Sequence, residues 1–124
     1  MTNVKLPAPP AGTRPSGRRL WRSVLTDFEL EEFELALLRE AVRTVDQLDE
    51  LAKIVRREGL VVTTKAGPRA HPALVESRQL RIALARLLAA LQLPAGEEVD
   101  ASAARRVQRR GGARGVYALP GSAA

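Results

Sequence analysis

The residue types that most often carry chemistry are scarce in this chain of 124 residues. It has one histidine, His71, and no cysteine. A lone histidine does not make a typical zinc site, and a general base needs a second side chain that orients it. His71 is followed by Pro72 and a helical pattern. We therefore interpret the His-Pro pair as the start of a helix and not as a catalytic site.

Ten acidic residues between positions 26 and 58 are the next candidates, as paired carboxylates or as a metal site. They are spread around a helical pattern, and Asp49 has a basic partner four residues further on, Lys53. Such spacing is typical of a solvated helix face. No catalytic residue, metal site or cofactor is predicted, and the chain is expected to be non-enzymatic.

A glycine-rich segment near the end of the chain, "RRGGARG", is the remaining motif. Gly111, Gly112 and Gly115 lack the Lys-Ser/Thr pair and the strand and helix of a phosphate-binding loop. The segment resembles arginine-glycine tracts that hold polyanions loosely. A plain soluble tail is an equally good interpretation.

Clusters of arginine are candidates for nucleic-acid binding. The net charge is +6, yet residues 26–58 hold ten acids against five bases, so the positive charge is concentrated in other parts of the chain. Neighbouring arginines neutralise several phosphates together, which favours nucleic-acid binding. The candidate DNA-binding residues are Arg14, Arg18, Arg19, Arg22, Arg105, Arg106, Arg109 and Arg110.

These residues are positioned by a fold that the apolar spacing predicts to be mainly α. We expect a short helix followed by a long antiparallel helical hairpin, with a small β-hairpin at its tip. Ser16 is the predicted cap of the first helix, and Thr26 or Asp27 that of the second. The predicted segments are a flexible proline-rich arm over 1–16, helices over about 17–25, 30–57 and 72–92, a β-hairpin over about 60–71, and a flexible Arg/Gly-rich tail over 95–124. The helical core domain is thus 17–94.

Apolar residues recur at steps of three and four in both long helices, the spacing of a helix-packing seam. The predicted packing residues are Leu38, Val45, Leu48 and Val55 in the first long helix, and Leu80, Leu84, Leu87 and Leu91 in the second. Such a stripe needs more partner surface than one short helix supplies. It indicates a helical hairpin or contacts between subunits.

An ordered set of short sequences carries a family resemblance. A long helix, "GLVV", "KAGPRAHPAL" and a helix that ends in "LLAALQLP" together resemble the P27-type family of phage terminase small subunits, over about residues 17–94. In that family a glycine-hydrophobic strand leads to a His-Pro helix start. This sequence has Gln92 where the family commonly has glycine, and it lacks the usual Ser/Thr-Pro-x-x-Arg continuation after Leu93.

The resemblance implies a DNA-packaging factor with no enzymatic activity of its own. Its expected partners are double-stranded phage DNA at the packaging-initiation site, other copies of itself in a ring-like homo-oligomer, and the terminase large subunit, which carries ATPase and nuclease activities. The tail residues expected to meet that partner or the portal are Arg114, Val116, Tyr117 and Leu119.

Two alternatives from other classes stay open. Residues 17–38 are compatible with the helix-turn-helix of a small regulator, although the candidate recognition helix is acidic at its start. A helical adaptor that binds protein and no DNA is the other alternative. No signal peptide and no apolar run of about 18 residues is apparent. The expected location is the host bacterial cytoplasm, without a membrane partner.

Overall fold

The computed structural model describes residues 5–94, which form three helices and one β-hairpin. The chain is mainly helical, with the hairpin directly after the long helix, as the apolar spacing predicts. The elements are α1 (Pro15–Asp27), α2 (Glu32–Glu58), β1 (Val61–Thr64), β2 (Gly67–Ala70) and α3 (Pro72–Leu91).

Helix α1 begins two residues earlier than predicted, and its predicted cap is wrong. Pro15 occupies its first turn, where a missing N–H costs nothing, and Arg14 is the N-cap residue. The free N–H groups of this end are bound by α2, since the carboxylate of Asp46 accepts from Arg14 N and Gly17 N, at 2.7 Å each. Ser16 lies inside the helix, and its hydroxyl donates to Asp49.

Helix α2 begins at Glu32, two residues later than predicted. Its cap is Glu31, neither Thr26 nor Asp27. The Glu31 side chain accepts from the backbone three residues on, and the Glu34 carboxylate accepts from Glu31 N at 2.7 Å. This reciprocal pair is a capping box. The helix ends at Gly59, whose φ of 92° lies in the region that favours glycine.

The antiparallel β-hairpin joins α2 to α3. Its register runs from Val61 opposite Ala70 to Thr64 opposite Gly67. At its open end, His71 N donates to Leu60 O at 2.8 Å. Helix α3 then returns antiparallel to α2.

The core lies where all three helices meet. It contains Trp21, Val24, Leu25 and Phe28 from α1 and its end, Leu38 and Val42 from α2, and Leu91 from the end of α3. Gly17 allows α1 to approach α2 closely, because a Cβ atom there would lie 2.5 Å from a carboxylate oxygen of Asp46. Of the eight predicted packing residues, Leu38 and Leu91 are fully buried. The other six are half-buried.

The proline-rich segment differs from the predicted flexible arm over residues 5–14. It runs alongside the core, because Trp21 Nε1 donates to Pro7 O at 2.8 Å and Leu6 packs against the buried cluster. A backbone bond from Thr13 N to Pro10 O closes a turn before α1. The predicted tail lies outside the described residues.

Candidate nucleic-acid interface

Helix α1 presents three of the predicted DNA-binding arginines to solvent. Trp21, Val24 and Leu25 are buried on one side, which leaves Arg18, Arg19 and Arg22 exposed on the remainder of the helix. These three positions fall within an arc of about 100°, and Arg18 and Arg22 are separated by about 6 Å along the axis. The helix thus displays three guanidinium groups on one side.

The exposed arginines make hydrogen bonds only to uncharged groups in the described part of the chain. Arg18 Nη1 donates to Thr13 O at 2.6 Å, and Arg19 Nη2 donates to Ser16 Oγ at 3.1 Å. Among residues 5–94, no ion pair involves either side chain or Arg22. Their charges are therefore free to attract an anion.

Arg14 has different surroundings from the other three arginines. Its Nε lies 3.4 Å from Glu50 Oε2, and its backbone N–H is bound by Asp46. A hydrogen bond from Lys53, with the charge of Arg14 adding to it, holds the pKa of Glu50 below its usual value. Arg14 is thus part of a local ion network, which makes it a weaker phosphate ligand than its neighbours on α1.

His71 is buried and uses both ring nitrogens. Its Nδ1 accepts from Ala73 N at 2.9 Å, which caps α3, and Nε2 lies 2.7 Å from Glu58 Oε1. Because Nδ1 is an acceptor, the proton belongs on Nε2 and points to Glu58. This hydrogen bond is the main reason that the pKa of Glu58 is lowered. The geometry agrees with a helix start at His71-Pro72.

Sequence reasoning missed three acids with specific partners. All three, Glu34, Asp46 and Glu58, belong to the acids predicted to lie on a solvated helix face. Asp46 and Glu34 are buried, so the prediction is wrong for them. Asp46 had a detectable signal, since it follows Val45 within the apolar stripe, where a carboxylate needs donors. Its donors come from a position about thirty residues earlier in the chain, which local spacing does not reveal.

Other kinds of site find no support in the described residues. Across 5–94, no group of three or more His, Cys, Asp or Glu side chains is arranged to hold a metal ion. No helix in that range has the length and apolar character needed to cross a membrane. The predicted residues of the tail lie outside the described range: Arg105, Arg106, Arg109, Arg110, Arg114, Val116, Tyr117 and Leu119.

Comparisons with known proteins assign the chain to no family. No protein-family model matches it, and no curated protein or solved structure matches it either.

Proposed function

We propose that the chain is the small subunit of a phage or prophage DNA-packaging terminase. In this role it binds double-stranded DNA at the packaging-initiation site and regulates the large subunit, without chemistry of its own, in the host bacterial cytoplasm. The resemblance from Gly59 through the His71-Pro72 corner to the end of α3 motivates the proposal. The observation that carries its DNA-binding part is the set of α1 arginines that make no ion pair within residues 5–94: Arg18, Arg19 and Arg22.

DNA binding by α1 follows from its charge and shape. Guanidinium groups donate to phosphate oxygens in a fixed fork, and each neutralised phosphate releases counterions. Such contacts position a protein on the duplex but do not read its sequence. Helix α1 therefore supplies affinity, and recognition of a particular site needs further contacts from the ring or from the basic tail.

Self-assembly is supported by apolar side chains of α2 and α3 that the single chain covers only in part. Leu48, Val55, Leu80 and Leu84 are half-buried in the single chain. Neighbouring copies in a ring would cover this surface, which costs free energy when it faces water.

A charge-removal experiment tests the DNA-binding part. The triple variant Arg18→Ala, Arg19→Ala and Arg22→Ala is compared with a control that removes three exposed arginines from α3, at positions 78, 81 and 86. Binding to double-stranded DNA is measured across a salt series. If all three α1 side chains contact phosphates, the slope of log affinity against log salt falls by up to about 2.7.

The control variant loses the same formal charge. We expect it to keep most of the wild-type slope of log affinity against log salt. Equal losses in the two variants would mean that net charge, and not α1, drives binding. Undiminished binding by the α1 variant would rule out the assignment. The mass of the assembly should be the same in both, because these side chains lie away from the apolar stripe.

The two alternatives fit the structure less well. In a helix-turn-helix reading, α2 would enter the DNA groove with Glu31, Glu32 and Glu34 leading, and phosphates would repel these acids. A protein-only adaptor would leave the α1 arginines without a role. The complete absence of DNA binding at low salt would favour it.

A further inference from the structure

Some backbone N–H and C=O groups of the β-hairpin point away from the partner strand, and the register of the hairpin shows which ones. His71 N donates to Leu60 O, so these two residues form a hydrogen-bonded pair. Bonded and non-bonded pairs alternate along an antiparallel ladder. The non-bonded pairs are therefore Val61 with Ala70, and Thr63 with Pro68. Pro68 agrees with this reading, because a proline has no N–H to give to the ladder.

The two outer edges of the hairpin are not equivalent. Strand β1 turns the N–H and C=O groups of Val61 and Thr63 outward, and within residues 5–94 no backbone hydrogen bond beyond the hairpin occupies them. Strand β2 lacks an outward donor at Pro68, which is how natural sheets block an edge. Leu60 and Val61 are 62% and 59% exposed beside the open edge. Strand β1 thus offers two outward donors to a further strand, whereas β2 offers one, at Ala70.

We propose that the open edge of β1 pairs with β1 of a second copy of this chain, antiparallel about a twofold axis. The register that uses every outward group places Val61 opposite Thr63 of the second copy and Val62 opposite its own equivalent. Val61 and Thr63 then form two bonded pairs, each of which exchanges both hydrogen bonds. The two hairpins become one four-stranded sheet.

The charges of the hairpin favour a second copy as the occupant. Residues 60–64 carry no charge, so the paired strands oppose no like charges. The basic side chain of Arg69 belongs to β2, the strand away from the twofold axis. Both outer edges of this sheet are β2 strands, in which Pro68 leaves Ala70 as the single outward donor, so we expect the addition to stop at two copies.

The contact is small, which sets its expected strength. It joins five residues from each copy, far less than the roughly 1,000 Å² of buried surface that a stable interface needs. We expect pairing that depends on protein concentration and that strengthens when the helices also assemble. The inference does not depend on the proposed packaging function, since it requires neither DNA nor a large subunit.

A single cysteine provides the test, because the chain has none of its own. In the proposed register, position 62 forms a non-hydrogen-bonded pair with its equivalent, so the two Cα atoms lie about 4.5 Å apart, within the Cα–Cα range of a disulfide. The variant Val62→Cys, oxidised with diamide in the full chain at high protein concentration, should form covalent dimers. Dilution before oxidation should reduce the yield.

The matched control is Val61→Cys. The equivalent residues at position 61 lie diagonally, about 7–8 Å apart, and are poorly placed for a disulfide. Yet Val61 is more exposed than Val62, so random collisions would favour the control. We expect about tenfold more dimer from Val62→Cys, in line with this difference in geometry. Equal or greater dimer from Val61→Cys, or no dimer from Val62→Cys, would overturn the pairing.

A proline variant separates strand pairing from general association. Thr63→Pro removes an outward N–H that makes no bond within the hairpin, and Pro68 already stands opposite it. Added to Val62→Cys, it should abolish the crosslink while the helical circular dichroism is retained. Persistent crosslinking in this folded double variant would show that β1 does not pair through its edge.

Discussion

The two halves of the α2–α3 hairpin are built from similar sequence but are covered to different extents. In the first half of α2, Leu38 and Val42 are fully buried beneath α1 and the end of α3. In the second half, Leu48 and Val55 are only half-buried, and Ile82 of α3 is exposed.

Helix length accounts for the difference. At 1.5 Å per residue, α1 is about 20 Å long and α2 about 40 Å, so α1 covers only one half of its neighbour. We call these regions the three-helix half and the two-helix half. The first closes its own core, whereas the second leaves part of its apolar surface exposed.

The largest expected effect compares matching leucines from the two halves. Leu38→Ala removes a fully buried side chain and should lower the free energy of unfolding by about 2–5 kcal/mol. Leu80→Ala in the two-helix half removes a half-buried one and should cost about 1 kcal/mol in the isolated chain. Denaturant unfolding at low protein concentration measures both. Equal costs would contradict the division into two halves.

A smaller effect tests how α1 is held on the three-helix half. Asp46→Ala removes the acceptor for Arg14 N and Gly17 N and should cost about 1.5–3 kcal/mol, the range for hydrogen bonds to a charged group. The control is Asp49→Ala, which removes an exposed acid that accepts from Ser16 Oγ and from no other group in the described range 5–94. We expect the control to change stability by less than about 0.5 kcal/mol. If Asp46→Ala leaves the free energy of unfolding unchanged, α1 does not depend on this cap.

The smallest effect concerns acid at the tip of the two-helix half. The hydrogen bond from His71 lowers the pKa of Glu58 from 4.5. Folding therefore stabilises the ionised carboxylate, and this contribution is present above pH 4.5 and is lost as the pH falls through the lowered value. The unfolding free energies of the wild type and Glu58→Gln should converge between about pH 5 and pH 3. A difference that stays constant with pH would exclude this linkage.

The sequence predicted the helices well because apolar residues recur at helical spacing within each of them. The β-hairpin and the His71-Pro72 helix start were also predicted from local sequence, although the hairpin turns at Lys65 and Ala66 and Gly67-Pro68 belongs to β2. The N-terminal caps of α1 and α2 were not, since Asp46 binds backbone groups about thirty positions earlier and Glu31 replaces the expected Thr26 or Asp27. Contacts between residues that are distant in sequence can be found only from the folded structure.

The conformation of the proline-rich segment beside the candidate site is also decided by a contact that is distant in sequence. Its composition predicts a flexible arm, but a single long-range bond from Trp21 to Pro7 and the burial of Leu6 hold it against the core. The arginines of α1 were predicted as one cluster. Only the structure separates Arg14, with its partner Glu50, from the three exposed arginines that make no ion pair among residues 5–94.

The central claim is that the two-helix half is completed by other copies of the chain. Light scattering coupled to size exclusion tests it most directly, on the wild type and on Leu48→Asp, whose charge would lie in the proposed contact. We predict that the wild type has a mass several times the 13.5 kDa of one chain and that Leu48→Asp dissociates it. A wild-type mass of one chain at all concentrations, or an unchanged assembly in the variant, would contradict the claim.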